Sequence, residues 1–357
     1  MYRLLDDPRP PFQPLYVNVE DIVSAADFMI ELIAALLRDR RFPRLLHSLR
    51  KESRGLGRFL RGLPSRIDLG GIKVDLREST DMAQHWASYG EQVMQLLAAE
   101  ETGSPLLLID EFAVMVNGIA AQSRDELARF LRWFRSARLA PDTRTRFVLG
   151  GSINLVSTLD SLGLVDTVND LWVERLKPFD HPTAQRFIES IFNSRGVKWL
   201  PEVKECLLEM LGAPIPYLLA VFLTAVLDRQ KATGQDVSCR MVEEAFQQDL
   251  LGGATSAVFR HYRSRINDYY PGLEGRAAKA ILGILSRTAK PVQRDTLYQV
   301  HLQIGSLQDG HQQREDFSKL MDKLGNDFYV TSEGQSYAFF SKVLRQWWEA
   351  HYSFQGE

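Results

Sequence analysis

The order of apolar and polar residues divides the chain into two regimes. In residues 1–180 short apolar runs alternate with amphipathic stretches. Residues 15–19 read as a strand. Ser24 stands where it would cap a helix over 25–37, in which Phe28, Leu32 and Leu36 recur at helical spacing. Apolar residues in 67–69 and 72–76 flank Gly70-Gly71, a hairpin signal. Residues 81–101 and 124–137 carry helical periodicity. Residues 106–109 are continuously apolar, as in a strand buried on both faces. Residues 147–149 and 171–173 predict two more buried strands. Strands alternating with helices imply parallel pairing and an α/β layer.

Beyond residue 182 the strand signal stops. Helical patterns over 183–192, 201–211, 217–229 and 238–249 predict a small all-α domain, 181–268. Tyr269-Tyr270-Pro271-Gly272 reads as a turn and a boundary. Three further helices, 274–286, 294–302 and 313–324, precede two short strands, 328–330 and 337–339, around Glu333-Gly334. Three helices and a hairpin outline a winged helix over 269–357.

Composition adds exclusions. Of 357 residues, 45% are hydrophobic and 25% charged, as in ordinary soluble domains, and the formal net charge of -2 provides no global field toward nucleic acid or an acidic membrane. The apolar stretches are too short to span a bilayer, and the first residues do not form a signal peptide. Two cysteines, Cys206 and Cys239, make neither a disulfide framework nor a metal cluster and suit a reducing cytoplasm. His47, His85, His181 and His301 lack metal-ligand spacing.

The candidate chemistry begins where residues 106–109 run into Asp110-Glu111. In open α/β sheets ligands sit outside the carboxyl ends of the strands. An aspartate there can hold Mg²⁺ through water, since a hard cation takes oxygen ligands, and the following acid can orient or deprotonate an attacking water. Two acids ending a strand are equally compatible with capping and solvent exposure. The next strand ends in Gly150-Gly151-Ser152-Ile153-Asn154, where Ser152 or Asn154 could sense a phosphate, or Asn154 could simply cap a helix.

Several blocks in order, Leu107-Leu108-Ile109-Asp110-Glu111-Phe112, Leu131-Arg132-Trp133-Phe134-Arg135, Phe147-Val148-Leu149-Gly150-Gly151-Ser152-Ile153-Asn154-Leu155 and Val168-Asn169-Asp170-Leu171, resemble archaeal-type AAA/STAND P-loop ATPases. Gly212-Ala213-Pro214-Ile215-Pro216-Tyr217 resembles the turn of their helical lid, and the stretch from Tyr337 to Trp348 the close of their winged-helix domain. The resemblance covers nearly the whole chain. It implies a P-loop NTPase-like parallel sheet in 1–180, a helical lid and a C-terminal winged helix. It also implies ATP and Mg²⁺ as cofactors, a nucleotide-dependent switch, a cytoplasmic location and self-association as a homo-oligomer. Asp110 would serve Mg²⁺, Glu111 the water, Ser152 or Asn154 the sensor position, and Pro216 the lid turn near the base.

One half of that site is missing. A phosphate-binding loop needs G-x-x-x-x-G-K-[ST], and the sequence contains no Gly-Lys dipeptide. In the family order, residues 1–5 would be the last turns of the helix after that loop. The loop and the family's first strand would therefore precede Met1, either in a longer protein or lost from a degenerate relic. In the sheets the resemblance implies, that first strand lies between the sensor strand and the one after it. Without it the sheet must close up or leave two edges unpaired, and the chain should bind ATP poorly.

Other surfaces have competing readings. Residues 38–66 are strongly basic, with Arg50, Arg54 and Arg58 at helical spacing, either a nucleic-acid arm or a solvated helix face. In the third domain Arg314 and Lys319 lie on the expected recognition helix, with Gln312, Gln313 and Lys323 nearby, although winged helices also bind proteins. Arg138, Arg144 and Arg146, with Arg135, are candidate arginine fingers or ordinary surface arginines. The first expectation is thus an ATPase module impaired in ATP binding. The alternative is a non-enzymatic winged-helix protein that binds DNA or a protein partner.

Overall fold

A computed structural model describes residues 1–39, 80–100, 103–252, 257–305 and 310–352. The expected hairpin over 67–76 and the basic stretch with Arg50, Arg54 and Arg58 lie outside the described residues. The chain divides into two compact units, Met1–Val173 and Glu174–Glu357.

The first unit is built on a parallel sheet of order β1-β2-β3: β1 (Phe12–Asn18), β2 (Ser104–Asp110) and β3 (Arg146–Leu149). Leu107, Leu108 and Ile109 are fully buried in the central strand, as a continuous apolar run requires. The register sets Asn18 beside Asp110 and Leu149 beside Ile109, so all three strands finish at one end of the sheet. A short helix, α1 (Tyr2–Asp6), precedes β1. The helix α2 (Ala25–Arg38) starts at Ser24, whose side chain accepts the Asp27 N–H, and packs on β1 and on α3 (Thr80–Ala98). Ser123 caps α5 (Arg124–Leu139) in the same way, directly after α4 (Phe112–Gln122), which the sequence pattern left undetected. Rings of Phe28, Trp86, Phe112, Phe130, Trp133 and Phe134 form a contiguous aromatic cluster under these helices.

Among the described residues the sheet ends at β3. Residues 171–173, expected as another buried strand, form no strand: Trp172 is 89% exposed and Val173 65%. A three-residue apolar run has no structure of its own without a neighbouring strand to supply ladder hydrogen bonds. The sheet therefore does not close up across that edge among the described residues. Between β3 and this segment lie α6 (Leu155–Ser161) and a single 3₁₀ turn, Val165–Val168.

The second unit contains α7 (His181–Ser194), α8 (Val203–Leu211), α9 (Pro216–Thr233), α10 (Cys239–Glu244) with a π-helical continuation over Ala245–Leu251, and α11 (Ala257–Tyr269). After it come α12 (Gly272–Ser286), α13 (Arg294–Ile304), α14 (Gly310–Asn326) and α15 (Lys342–Tyr352). An antiparallel sheet of order β4-β6-β5 joins Val292–Gln293, Ser336–Phe339 and Val330–Glu333. Its hairpin turns at Gly334, where φ is +62°, a backbone conformation that favours glycine. One hydrophobic core runs through the whole unit, from Ala184 on α7 to Trp348 on α15. The two cysteines, read from the sequence as no disulfide framework and as suiting a reducing cytoplasm, are joined to each other: Cys206 of α8 and Cys239 at the start of α10 form a disulfide. Their separation of 33 residues gave no sign of this, because pairing depends on how α8 and α10 pack.

Candidate active site

The feature that organises the site is the strand end at Asp110. The buried run of β2 carries the chain to the edge of the sheet, and Glu111 then turns it into α4 with a left-handed backbone, φ 59°. A non-glycine residue in that region is under strain and persists where its surroundings fix it. Here two anchors do so. Phe112 is buried and stacks on Phe134 at 5.3 Å between centroids. Its N–H donates to the Gly150 carbonyl at 3.0 Å, while the Gly150 N–H donates to the Ile109 carbonyl at 2.8 Å. The ends of β2 and β3 are thereby laced together. A Cβ at Gly150 would come within 2.3 Å of the end of the Met1 side chain, which can swing aside, and 3.1 Å of Asp110 Oδ1.

This lacing brings three of the expected residues together. Glu111 Oε2 accepts both the Ser152 Oγ–H, at 3.0 Å, and the Ser152 N–H, at 3.2 Å. Asp110 lies alongside, with Oδ1 accepting the Glu111 N–H at 3.2 Å. Its Oδ2 accepts the Tyr16 hydroxyl at 3.0 Å, and that hydroxyl in turn accepts from Tyr2 at 3.4 Å. Burial, with the bonds to Tyr2 and Asp110, pushes the Tyr16 phenol well above its ordinary range, so it stays a donor at neutral pH. Asn154 is otherwise engaged: its side-chain oxygen accepts the Ser157 N–H at 2.9 Å and caps α6.

Tyr16 is the residue that sequence reasoning missed. Its place in an alternating strand makes it look like packing. Only the register, which sets Asn18 beside Asp110, shows that Tyr16 shares that face and reaches the carboxylate two positions along the neighbouring strand.

The candidate arginines fare differently. Arg138 does not project from the surface: its side chain is 3% exposed and grips Asp170 through two nitrogens at 2.9 and 2.8 Å. It also donates to the Thr167 carbonyl at 2.7 Å and lies 4.7 Å from the centre of the Phe134 ring. Beside this guanidinium the Asp170 carboxyl is held below the usual carboxylate range. Arg144 and Arg146 are exposed at the start of β3, the end of the sheet away from Asp110.

In the second unit Pro216 occupies the first turn of α9, after Ile215. On α14 Arg314 is exposed, and Lys319, also exposed, pairs with Glu315 at 2.8 Å. Lys323 points inward. Its ammonium donates to the Tyr269 carbonyl at 2.8 Å and to Glu274, whose carboxyl is pushed up by burial despite this partner.

A divalent cation fits the Asp110 side of the site in chemistry. Each carboxylate oxygen has one protein donor, and a carboxylate offers about four lone-pair positions. No group of three or more His, Cys, Asp or Glu side chains suited to a metal occurs among the described residues, so such a cation would draw most of its shell from water and from phosphates. This sequence contains no Gly-x-x-x-x-Gly-Lys loop of the kind that cradles a triphosphate. No helix among the described residues is long and apolar enough to cross a membrane.

Comparison with known proteins bears on this arrangement at the level of the fold. No family model matches the sequence. No curated protein matches it either. Among solved structures it is similar to a Walker-type ATPase of Pyrococcus abyssi, with 14% identity and a TM-score of 0.56, over 97% of this chain and 86% of that one. It is also similar to the ORC2 protein of Aeropyrum pernix, solved in ADPNP–ADP complexes, with 11% identity and a TM-score of 0.51, over 98% of this chain and 81% of that one. The chain therefore has the fold of P-loop ATPases of this type, a mostly helical α/β architecture on a parallel sheet.

Proposed function

We propose that the chain is a nucleotide-binding module of AAA+/STAND type, with Asp110 facing Mg²⁺ through water and Glu111 orienting a water near the phosphates. The observation that carries this reading is the meeting of Asp110, Glu111 and Ser152 at the carboxyl ends of two adjacent parallel strands. Ser152 is the better sensor of the two candidates, because the Asn154 side chain is spent on capping α6. Mg²⁺ bound there would neutralise phosphate charge. The residues of this chain contribute a fixed carboxylate at Asp110 and a second one, tied to Ser152, at Glu111. Helices α7–α11 act as the lid, with Pro216 at its turn toward the base, and α12–α14 with the β4–β6–β5 sheet act as a winged helix. Nucleotide state would set their posture, with self-association. On α14 Arg314 and Lys319 are the exposed cations that would meet DNA or a protein partner, Lys319 beside Glu315, while Lys323 turns inward.

The missing amide cradle limits affinity. Residues 1–357 should bind Mg·ATP with a dissociation constant of about 1 mM, a binding free energy of about -4 kcal/mol. About 10 mM nucleotide would then stabilise the protein by up to about 1.4 kcal/mol. The measurement is the melting temperature against Mg·ATP concentration, for the unaltered chain and for Asp110→Asn. A small, saturable, Mg²⁺-dependent rise that Asp110→Asn removes is expected. Micromolar binding would overturn the impairment, and a complete lack of nucleotide effect would overturn the module itself.

A further inference from the structure

We propose that Tyr16 is a positioning residue for Asp110, fixing the carboxylate that faces a divalent cation by donating the phenolic proton to Oδ2. The inference rests on the reading above, that Asp110 faces a divalent cation.

Three observations lead to it. The first is placement. Tyr16 and Asn18 share one face of β1, and the parallel register puts Leu108 beside Tyr16 and Asp110 beside Asn18. Tyr16 and Asp110 are thus diagonal neighbours on one face, a span that an aromatic side chain covers and a shorter one does not.

The second is how the carboxylate is held. The Glu111 N–H fixes Oδ1 and the Tyr16 hydroxyl fixes Oδ2, at 3.2 and 3.0 Å. Two donors on the two oxygens define the orientation of the carboxylate plane, which neither does alone. Each oxygen keeps lone-pair capacity for a cation or its water. Such outer partners of a ligating carboxylate set the orientation of the ligand, and losing one typically costs 10–100-fold in metal affinity.

The third is polarity. The Tyr2 hydroxyl donates to Tyr16 at 3.4 Å, with the two rings 5.3 Å apart. Because the Tyr16 oxygen accepts from Tyr2, its own proton is directed to Asp110. A phenylalanine would fill the same space beside the ring of Tyr2. What the hydroxyl adds is the bond to Asp110.

The test uses the full chain and Mn²⁺ as the probe, with free Mn²⁺ read by electron paramagnetic resonance for the unaltered protein, Asp110→Asn and Tyr16→Phe. Asp110→Asn should remove one binding site. Tyr16→Phe should weaken that site about tenfold while the chain stays folded by circular dichroism. Adding Mn²⁺ should also perturb a tyrosine absorption band in the unaltered protein and not in Tyr16→Phe, which a purely structural role for Tyr16 would not produce. Unchanged affinity in Tyr16→Phe, with the site still lost in Asp110→Asn, overturns the role of Tyr16 and leaves the site standing. If the unaltered protein binds no Mn²⁺, or Asp110→Asn binds it equally, the cation site falls and the role of Tyr16 with it. Should Tyr16→Phe fail to fold, the tyrosine signal of the unaltered protein decides: its absence on binding at Asp110 overturns the inference.

Discussion

Reducing the bond between Cys206 and Cys239 is a clean perturbation of the second unit, because it removes one covalent link and leaves every packed side chain in place. The two residues lie 33 positions apart. On the chain-entropy view, a closed loop of that length restricts the unfolded chain by about 4 kcal/mol. Total stabilities of roughly 5–15 kcal/mol make this a large share. For a body of the size of Glu174–Glu357, each kcal/mol moves the midpoint by about 2–4 °C, so reduction should lower it by roughly 8–16 °C. Both sulfurs sit at half-buried positions, within reach of a small reductant. The assay is differential scanning calorimetry of the whole chain with and without dithiothreitol, alongside Cys206→Ser. The unaltered protein should lose stability on reduction, and Cys206→Ser should match the reduced form with no further response. The reasoning is refuted if titration shows two thiols released and no calorimetric transition moves.

Two other changes probe the first unit. Arg138→Met should cost about 3 kcal/mol in denaturant unfolding, because it leaves the Asp170 carboxylate, 14% exposed, with only Arg135 at 3.9 Å as a partner. The Asp170 carboxyl is depressed in the folded state, so its contribution is fully present above the unfolded carboxylate range near pH 3.8 and is lost as the pH falls through the lower folded value; the acid limb of stability should flatten in Arg138→Met, and an unchanged limb would count against the pair. Gly90→Ala should destabilise by about 1–3 kcal/mol, since the added carbon meets the Trp133 ring at 2.3 Å and that ring is held by Trp86, Phe130 and Phe134; a neutral effect on the melting midpoint would show that the ring can give way.

Much of the architecture was legible where local signals agreed. The apolar run before Asp110, the cap at Ser24 and the hairpin at Gly334 were all readable, because each depends on neighbours in sequence. Residues 171–173 were misread because a strand exists through its partners, and an apolar triplet carries no information about them. Helices α4 and α11 were missed, while the link between Cys206 and Cys239 depends on two helices packing side by side. Within the site, Asp110, Glu111 and Ser152 could be nominated from their place at strand ends. Asn154 could not be decided from sequence, since one side chain suits both a cap and a sensor, and the capping bond to Ser157 is visible only in three dimensions. Tyr16 was hidden for a related reason, in that the partner defining it lies 94 residues away.

The unbroken core of the second unit has a mechanical consequence. Leu211 and Ser341 illustrate it: the end of α8 and the start of α15, 130 residues apart, are tied by a buried hydrogen bond at 3.2 Å. Gly212, with φ +81°, leaves no room for a Cβ against Lys342. Close-packed interiors transmit displacement and do not absorb it. Parting the helices proposed as lid from the elements proposed as winged helix would therefore open part of the core they share, to which Phe246 and Trp347 belong, to water. Within this unit lid and winged helix are expected to move as one lever, since a displacement at one end strains the packing they share.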